Sequence, residues 1–239
     1  MSKALVKVPT VRTMTRNIVR VFLTATPDEI EAGLGWYSRA LDEAVYLASV
    51  SWGGLPKSVD ENDAWETEVT KMAGVLAVLS PRLSWPKNVE LARLALELHT
   101  AAEGHADRIA EALVTWPGLK GNAAKAFRIL DGETPDDVVK GPKVRAFWHT
   151  IVDPSDPRAV VVDRHAFDVA VNRVMTDETR GRFLGLKGTY DLVSKAYNDA
   201  AREINRTHSA GRKVTPAGTQ AVTWDIWRRT RAAAYHGDI

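Results

Sequence analysis

Only one stretch of this chain has the composition of a β-strand, Val160-Val161-Val162, and no second β-branched run exists to pair with it. A sheet is therefore out of reach, and the run is read as a buried extended connector. The rest of the chain is apolar at helical spacing and punctuated by proline and glycine, so the expected fold class is all-α. Hydrophobic residues make up 45% of the 239 positions, which is ordinary for a globule that buries a sizeable core.

Residues 1–26 read as a basic, poorly periodic lead-in, with Val19, Val21, Phe22 and Leu23 able to dock on a core. Thr26-Pro27-Asp28-Glu29 is a helix start: a capping threonine, proline at the first helical position, then acids that suit the helix dipole. Ile30, Leu34, Tyr37, Leu41 and Val45 predict one helix to about Ser49, ended by Gly53-Gly54-Leu55-Pro56. Further helices are expected over 62–79, from Pro86 through Leu98, over 106–115, 122–130 and 143–152, with a short helical turn at 136–139. Asp153-Pro154-Ser155-Asp156-Pro157 is a rigid turn. Asp163 then caps a helix through Phe167, Val171 and Val174, a long amphipathic helix follows from Leu186 to Ile204, and Thr215-Pro216 opens the last. This amounts to about ten helices. They are expected to form a helical-barrel subdomain over 61–150 and a second subdomain from both chain ends, 27–60 with 151–239.

Charge and composition narrow the function classes. There is no cysteine, which excludes disulfides, zinc–thiolate sites and iron–sulfur clusters. The 32 basic and 30 acidic residues leave a net charge of only +2, but their distribution is uneven. Lys3, Lys7, Arg12, Arg16 and Arg20 precede the first acid, Asp28, and Arg228, Arg229 and Arg231 crowd the far end. Local basic faces on a near-neutral globule suit a limited DNA footprint, with solvated termini as the plainer alternative. The six histidines lack metal spacing, and no phosphate-cradling glycine loop or nucleophilic serine motif is present. Neither a metal nor a cofactor is expected. No apolar run approaches the ~18 residues of a membrane span, and the basic start lacks the apolar region of a signal peptide, so the expected location is cytoplasmic.

The chemistry concentrates between Lys140-Gly141-Pro142-Lys143 and Val160-Val161-Val162-Asp163-Arg164-His165. Lys143 stands at the mouth of one expected helix and Asp163 at the mouth of the next. A cation in the first turn opposes the helix dipole, and a free lysine amine attacks an electrophilic carbon to form a Schiff base. A carboxylate fixed nearby accepts a proton and stabilises positive charge developing on a sugar ring. The plainer alternative makes Asp163 only a helix cap and Lys143 a surface or phosphate-contacting lysine.

Gly-Pro-Lys-Val, an amphipathic helix, a proline-rich turn and Val-Val-Asp-Arg-His together resemble the catalytic core of the helix-hairpin-helix DNA glycosylases. That superfamily includes endonuclease III and the 8-oxoguanine glycosylases. The resemblance places the nucleophile on Lys143, the assisting carboxylate on Asp163 and a DNA-backbone contact on His165. Val78-Leu79-Ser80-Pro81-Arg82 is similar to the segment whose last residue fills the space left by an extruded base, which assigns that place to Arg82. Gly118 to Ala126 looks like the Gly-x-x-x-x-Lys-Ala segment ahead of the hairpin. Pro216 to Trp224 resembles the base-reading helix of the 8-oxoguanine enzymes, so that Gln220 would bond the base edge and Trp224 would stack on its face, one helical turn apart. The opposite wall falls on Phe147, giving a pocket suited to a planar base. The same aromatics at helical spacing otherwise read as core packing. The hairpin departs from the family by keeping one glycine, Gly141, with Lys140 beside it to assist phosphate anchoring.

What the resemblance implies is an all-α, helix-hairpin-helix enzyme with its cleft between two helical subdomains. It would act as a monomer without cofactor on double-stranded DNA containing a damaged base, 8-oxoguanine being the first guess. The activity would be base excision by a DNA N-glycosylase with abasic-site (AP) lyase activity. Two alternatives stand beside it: the same fold acting on a hypermodified, phage-type base, and a non-catalytic helix-hairpin-helix DNA-binding protein.

Overall fold

The computed structural model describes residues 8–207 and 213–236; Lys3 and Lys7 of the basic lead-in lie outside them. Among the described residues there are thirteen α-helices and no strand. In chain order they are α1 (Val11–Phe22), α2 (Pro27–Leu34), α3 (Trp36–Trp52), α4 (Asn62–Leu79), α5 (Trp85–Ala102), α6 (Ala106–Thr115), α7 (Lys120–Leu130), α8 (Pro135–Val138), α9 (Pro142–Val152), α10 (Arg164–Val171), α11 (Asp177–Leu184), α12 (Thr189–Thr207) and α13 (Pro216–His236). The fold is all-α, and none of its described helices is long and apolar enough to cross a membrane.

The chain divides into two compact units. One comprises the residues up to Tyr37 together with those from Ser155 onward, and the other runs from Ser38 to Pro154. The first division falls between Tyr37 and Ser38, inside α3.

The first unit is built around α13. Its opening residues, Pro216 to Thr223, are all buried, and α1, α2, α10 and α12 pack against it. Small side chains make this possible. A Cβ added at Gly33 of α2 would lie 2.5 Å from Val222 Cγ2 and 2.8 Å from Val222 Cα, and one at Gly218 would lie 2.7 Å from Leu34 Cδ2. Helices α2 and α13 therefore meet backbone to backbone through a glycine on each. The buried hydroxyls of Thr219 and Thr223 donate to the carbonyls one turn earlier, Thr215 and Thr219, at 3.0 and 2.9 Å, so they add no unsatisfied group.

Three expectations are corrected in this unit. The lead-in is helical: Thr10 caps α1, which buries Met14, Ile18, Val19 and Phe22, while Leu23 stays exposed. Its period was masked because Thr15 and Asn17 share the buried face. They are satisfied by the carbonyls of Ala196 and Ala170, at 3.3 and 2.9 Å. The single helix expected from Thr26 to Ser49 is two, since Gly35 closes α2 by donating its N–H to Glu31. The helix start itself is a full capping box between Thr26 and Glu29. Finally, α11 was not expected at all. Its Arg180 is buried against the fully buried Asp168 of α10, with two bonds at 3.1 and 3.0 Å, and also meets Asp177 and the Met175 carbonyl. Such a pair holds only with this complete hydrogen-bonding.

In the second unit, α4 is the central element. Met72 to Leu79 are buried without interruption, as expected of a helix enclosed on all sides, and α5, α7, α8 and α9 pack against it. Asn88 Nδ2 donates to the Leu76 carbonyl at 3.0 Å, and Trp148 Nε1 to the Thr70 carbonyl at 3.1 Å, tying α5 and α9 to it. Helix α8 is a single turn. The chain then enters α9 through Gly141 at φ +84°, a left-handed conformation that glycine adopts without steric cost.

The α2–α13 contact gives a direct test. Gly33→Ala should destabilise the protein by about 1–3 kcal/mol, because the added methyl meets backbone as well as side chain. Gly181→Ala, in the exposed middle of α11 with open space around it, should stabilise it by about 0.5–1 kcal/mol. Equilibrium denaturation of the two variants would show opposite signs.

Candidate functional site

The site residues of the first unit begin with the valine connector. Val160, Val161 and Val162 belong to neither helix nor strand and are buried, and among the described residues there is no strand to pair with them. The Tyr190 hydroxyl of α12 takes its place, accepting from the Val162 N–H and donating to the Val160 carbonyl, both at 3.1 Å. Burial raises this phenol to about 12, so it remains a neutral O–H donor at any ordinary pH. The next backbone N–H, that of Asp163, bonds back to the Val161 carbonyl at 3.1 Å.

Asp163 is thereby delivered to the start of α10. Its Oδ1 accepts from the Ala166 N–H at 2.8 Å, the expected cap. Its Oδ2 accepts from the indole Nε1–H of Trp224 at 2.9 Å. The His165 ring meets the Trp224 ring edge-on, with centroids 5.7 Å apart and planes at 87°. Arg164 Nε donates to His165 Nε2 at 3.2 Å. A guanidinium only donates, so Nε2 must carry a lone pair and the imidazole is neutral. The same conclusion follows from its titration: burial pushes His165 down to about 4, with Arg164, Arg228 and Arg180 acting in the same direction against Asp163.

Trp224 is half-buried, and the guanidinium of Arg228 lies over its ring at 4.5 Å. One turn earlier, Gln220 is only 5% exposed, and its Oε1 accepts from the Tyr37 hydroxyl at 2.8 Å. Burial, reinforced by the charge of Asp163, holds the Tyr37 phenol well above its usual range. The Tyr197 hydroxyl donates to the Ala166 carbonyl at 3.1 Å, which fixes the first turn of α10 from the other side.

The remaining candidates belong to the second unit. Lys143 is half-buried in the first turn of α9, behind the exposed Gly141. Phe147 is buried and packs edge-on against Trp85, at 6.3 Å and 82°. Lys140 is exposed and its Nζ donates to the Asp136 carbonyl at 3.3 Å. Arg82 stands exposed in the turn between α4 and α5 at φ +66°, an uncommon conformation for an arginine. The structure thus gathers Asp163, His165 and Trp224 into one bonded and stacked group, with Gln220 a turn before Trp224 on its own tyrosine. Lys143, Phe147, Arg82, Lys140 and Gly141 lie in the other unit. Among the described residues no cluster of three or more His, Asp or Glu side chains is placed to hold a metal ion.

Two contributors to this group escaped the sequence reading. Tyr37 and Tyr190 act on partners 183 and 28 positions away and carry no local signal. Arg228, read in the sequence only as part of a basic end, stands four residues after Trp224, where helical side chains meet.

Residues 1–231 match the family of unknown function DUF7178. The chain belongs to that family. Its span takes in nearly all of both units, with every site residue named above. No curated protein and no solved structure matches the chain.

His165 makes the group's stability depend on pH. Between its folded value near 4 and the ordinary 6.5, the unfolded chain binds more protons than the folded one. Its contribution is therefore complete above pH 6.5 and is lost as pH falls toward 4, by about 3 kcal/mol in full. His165→Gln, which can still accept from Arg164, should flatten this part of the stability–pH curve measured by urea unfolding.

Proposed function

We propose that this protein excises a base from double-stranded DNA, as a glycosylase with abasic-site lyase activity. The observation that carries the reading is the second bond of Asp163. A helix cap needs one acceptor oxygen. Here the other oxygen is held by an indole N–H from a helix 61 positions further along the chain, which orients the carboxylate beyond what capping requires. A carboxylate fixed in advance suits a reaction that develops positive charge on a sugar ring.

In this reading Lys143 attacks C1′ as the free amine. The new N–C1′ bond forms as the bond to the base breaks, the base leaves with the electron pair, and the amine proton passes to Asp163. Ring opening, with a proton taken up by the ring oxygen, gives the Schiff base; loss of a C2′ proton then forms the C2′–C3′ double bond as the C3′–O bond breaks and the phosphate leaves with its electron pair. Arg82, on its exposed turn, is the residue to fill the vacated stack. With one lone pair of Oε1 taken by Tyr37, the two amide N–H donors of Gln220 are its main offer, which suits a base presenting an acceptor at that edge. Likeness to the 8-oxoguanine enzymes makes that base the first substrate to try.

Incubation with duplexes containing 8-oxoguanine or an abasic site, in the presence of borohydride, should trap a covalent protein–DNA adduct. Lys143→Gln should abolish the adduct while retaining DNA binding, and Asp163→Asn should slow trapping about 10²-fold or more. Absence of an adduct with the wild-type protein on both duplexes would remove the lyase step. Absence of base release from oxidised and hypermodified DNA alike would remove excision altogether, leaving a DNA-binding protein.

A further inference from the structure

We propose that Arg228 and Arg231 of α13 form an edge that contacts the phosphates of the DNA backbone, beside the nucleotide served by Asp163; the proposal rests on DNA being the partner. Three arginines sit close together here, and the structure treats them differently. Arg229 is ion-paired with Glu29 at 2.6 Å. Arg228 and Arg231 are exposed and make no ion pair with any described residue. The nearest acid on their own helix, Asp225, lies three positions before Arg228 and is not engaged by it.

Each of the two guanidiniums instead lies over an indole one turn earlier, Arg228 on Trp224 at 4.5 Å and Arg231 on Trp227 at 5.1 Å. Stacking fixes the plane of a guanidinium and spends none of its N–H donors, so the fork that matches a phosphate stays available. Three positions apart on a helix, the two side chains leave neighbouring sites about 5–6 Å apart. The helix dipole does not explain them, since its influence is confined to the last turn and α13 continues to His236. Their place in the site is set by Trp224, whose N–H holds Asp163 while its ring carries Arg228. A strand lying along this edge would run past the carboxylate.

The test is the salt dependence of binding to a duplex, measured by fluorescence anisotropy. The R228Q/R231Q variant should reduce the slope of log K against log[salt] by about 1.8, or about 0.9 for each lost phosphate contact. Its affinity should fall equally for damaged and undamaged DNA. R228K/R231K keeps the charges and should keep the slope, which separates charge from packing on the two indoles. R229Q, already spoken for by Glu29, should also leave the slope unchanged. A wild-type slope in R228Q/R231Q would overturn the proposal even where borohydride trapping succeeds. A reduced slope in a protein that traps nothing would support it while excision fails. Wild-type binding to anionic lipid vesicles with none to the duplex would overturn it as well.

Discussion

The hydroxyl of Tyr190 is the contact on which the site depends. A buried connector inside a helical protein has backbone groups with no ladder to enter, and each one left unbonded costs about 1–3 kcal/mol. Tyr190 satisfies one N–H and one carbonyl of the valine connector with a single oxygen. That lets three consecutive valines enter the core and ends the connector at a defined point, Asp163. The helix that follows starts where it does because Asp163 caps it, and Asp168 on that helix then meets Arg180. The least regular backbone in the unit is thus held by side chains at each step, and the carboxylate hangs from it.

Around that carboxylate, charges of both signs converge on His165. Arg164, Arg228 and Arg180 act on it against Asp163, and Arg180 is itself paired with Asp168 and Asp177. An imidazole placed there is disfavoured from taking up a second proton, and its bond from Arg164 requires that the one it has is not on Nε2. A neutral, buried histidine between arginines adds nothing to their positive field. The result is one oriented carboxylate, held by the same indole that carries the Arg228 guanidinium.

What could be read in the amino-acid sequence follows the range of the interactions responsible. Helices α4 and α6 were legible to the residue because their starts, apolar faces and breaks are all local. The cap at Asp163 was legible for the same reason. Helix α1 was not, since two polar residues on its buried face are satisfied by carbonyls 181 and 153 positions away. Helix α11 was overlooked although Thr176, Asp177 and Glu178 spell a helix start; its buried anchor is an arginine, which periodicity counts as exposed. The break at Gly35 answers to α13, whose backbone approaches Gly33 from the far end of the chain. In the site, the spacing of Gln220 and Trp224 placed them on one helical side, but what each one bonds was set by residues that no spacing rule connects.

Trp224 shows why those distant partners matter. A half-buried indole needs an acceptor for its N–H, and a backbone carbonyl would have been enough for stability. This one uses a carboxylate at the start of another helix, and so its ring becomes the spacer between two charges of opposite sign. Asp163 lies at the edge of the ring and Arg228 over its face. A flat aromatic group does not flex, so the direction of the carboxylate and the seat of the guanidinium are set by one rigid body on α13. Phenylalanine would keep the stacking and lose the N–H bond, and a glutamine would keep a donor and lose the seat. Tryptophan supplies the edge donor and the broad face together at this position, which ties the orientation of the acid to the helix that carries the arginines.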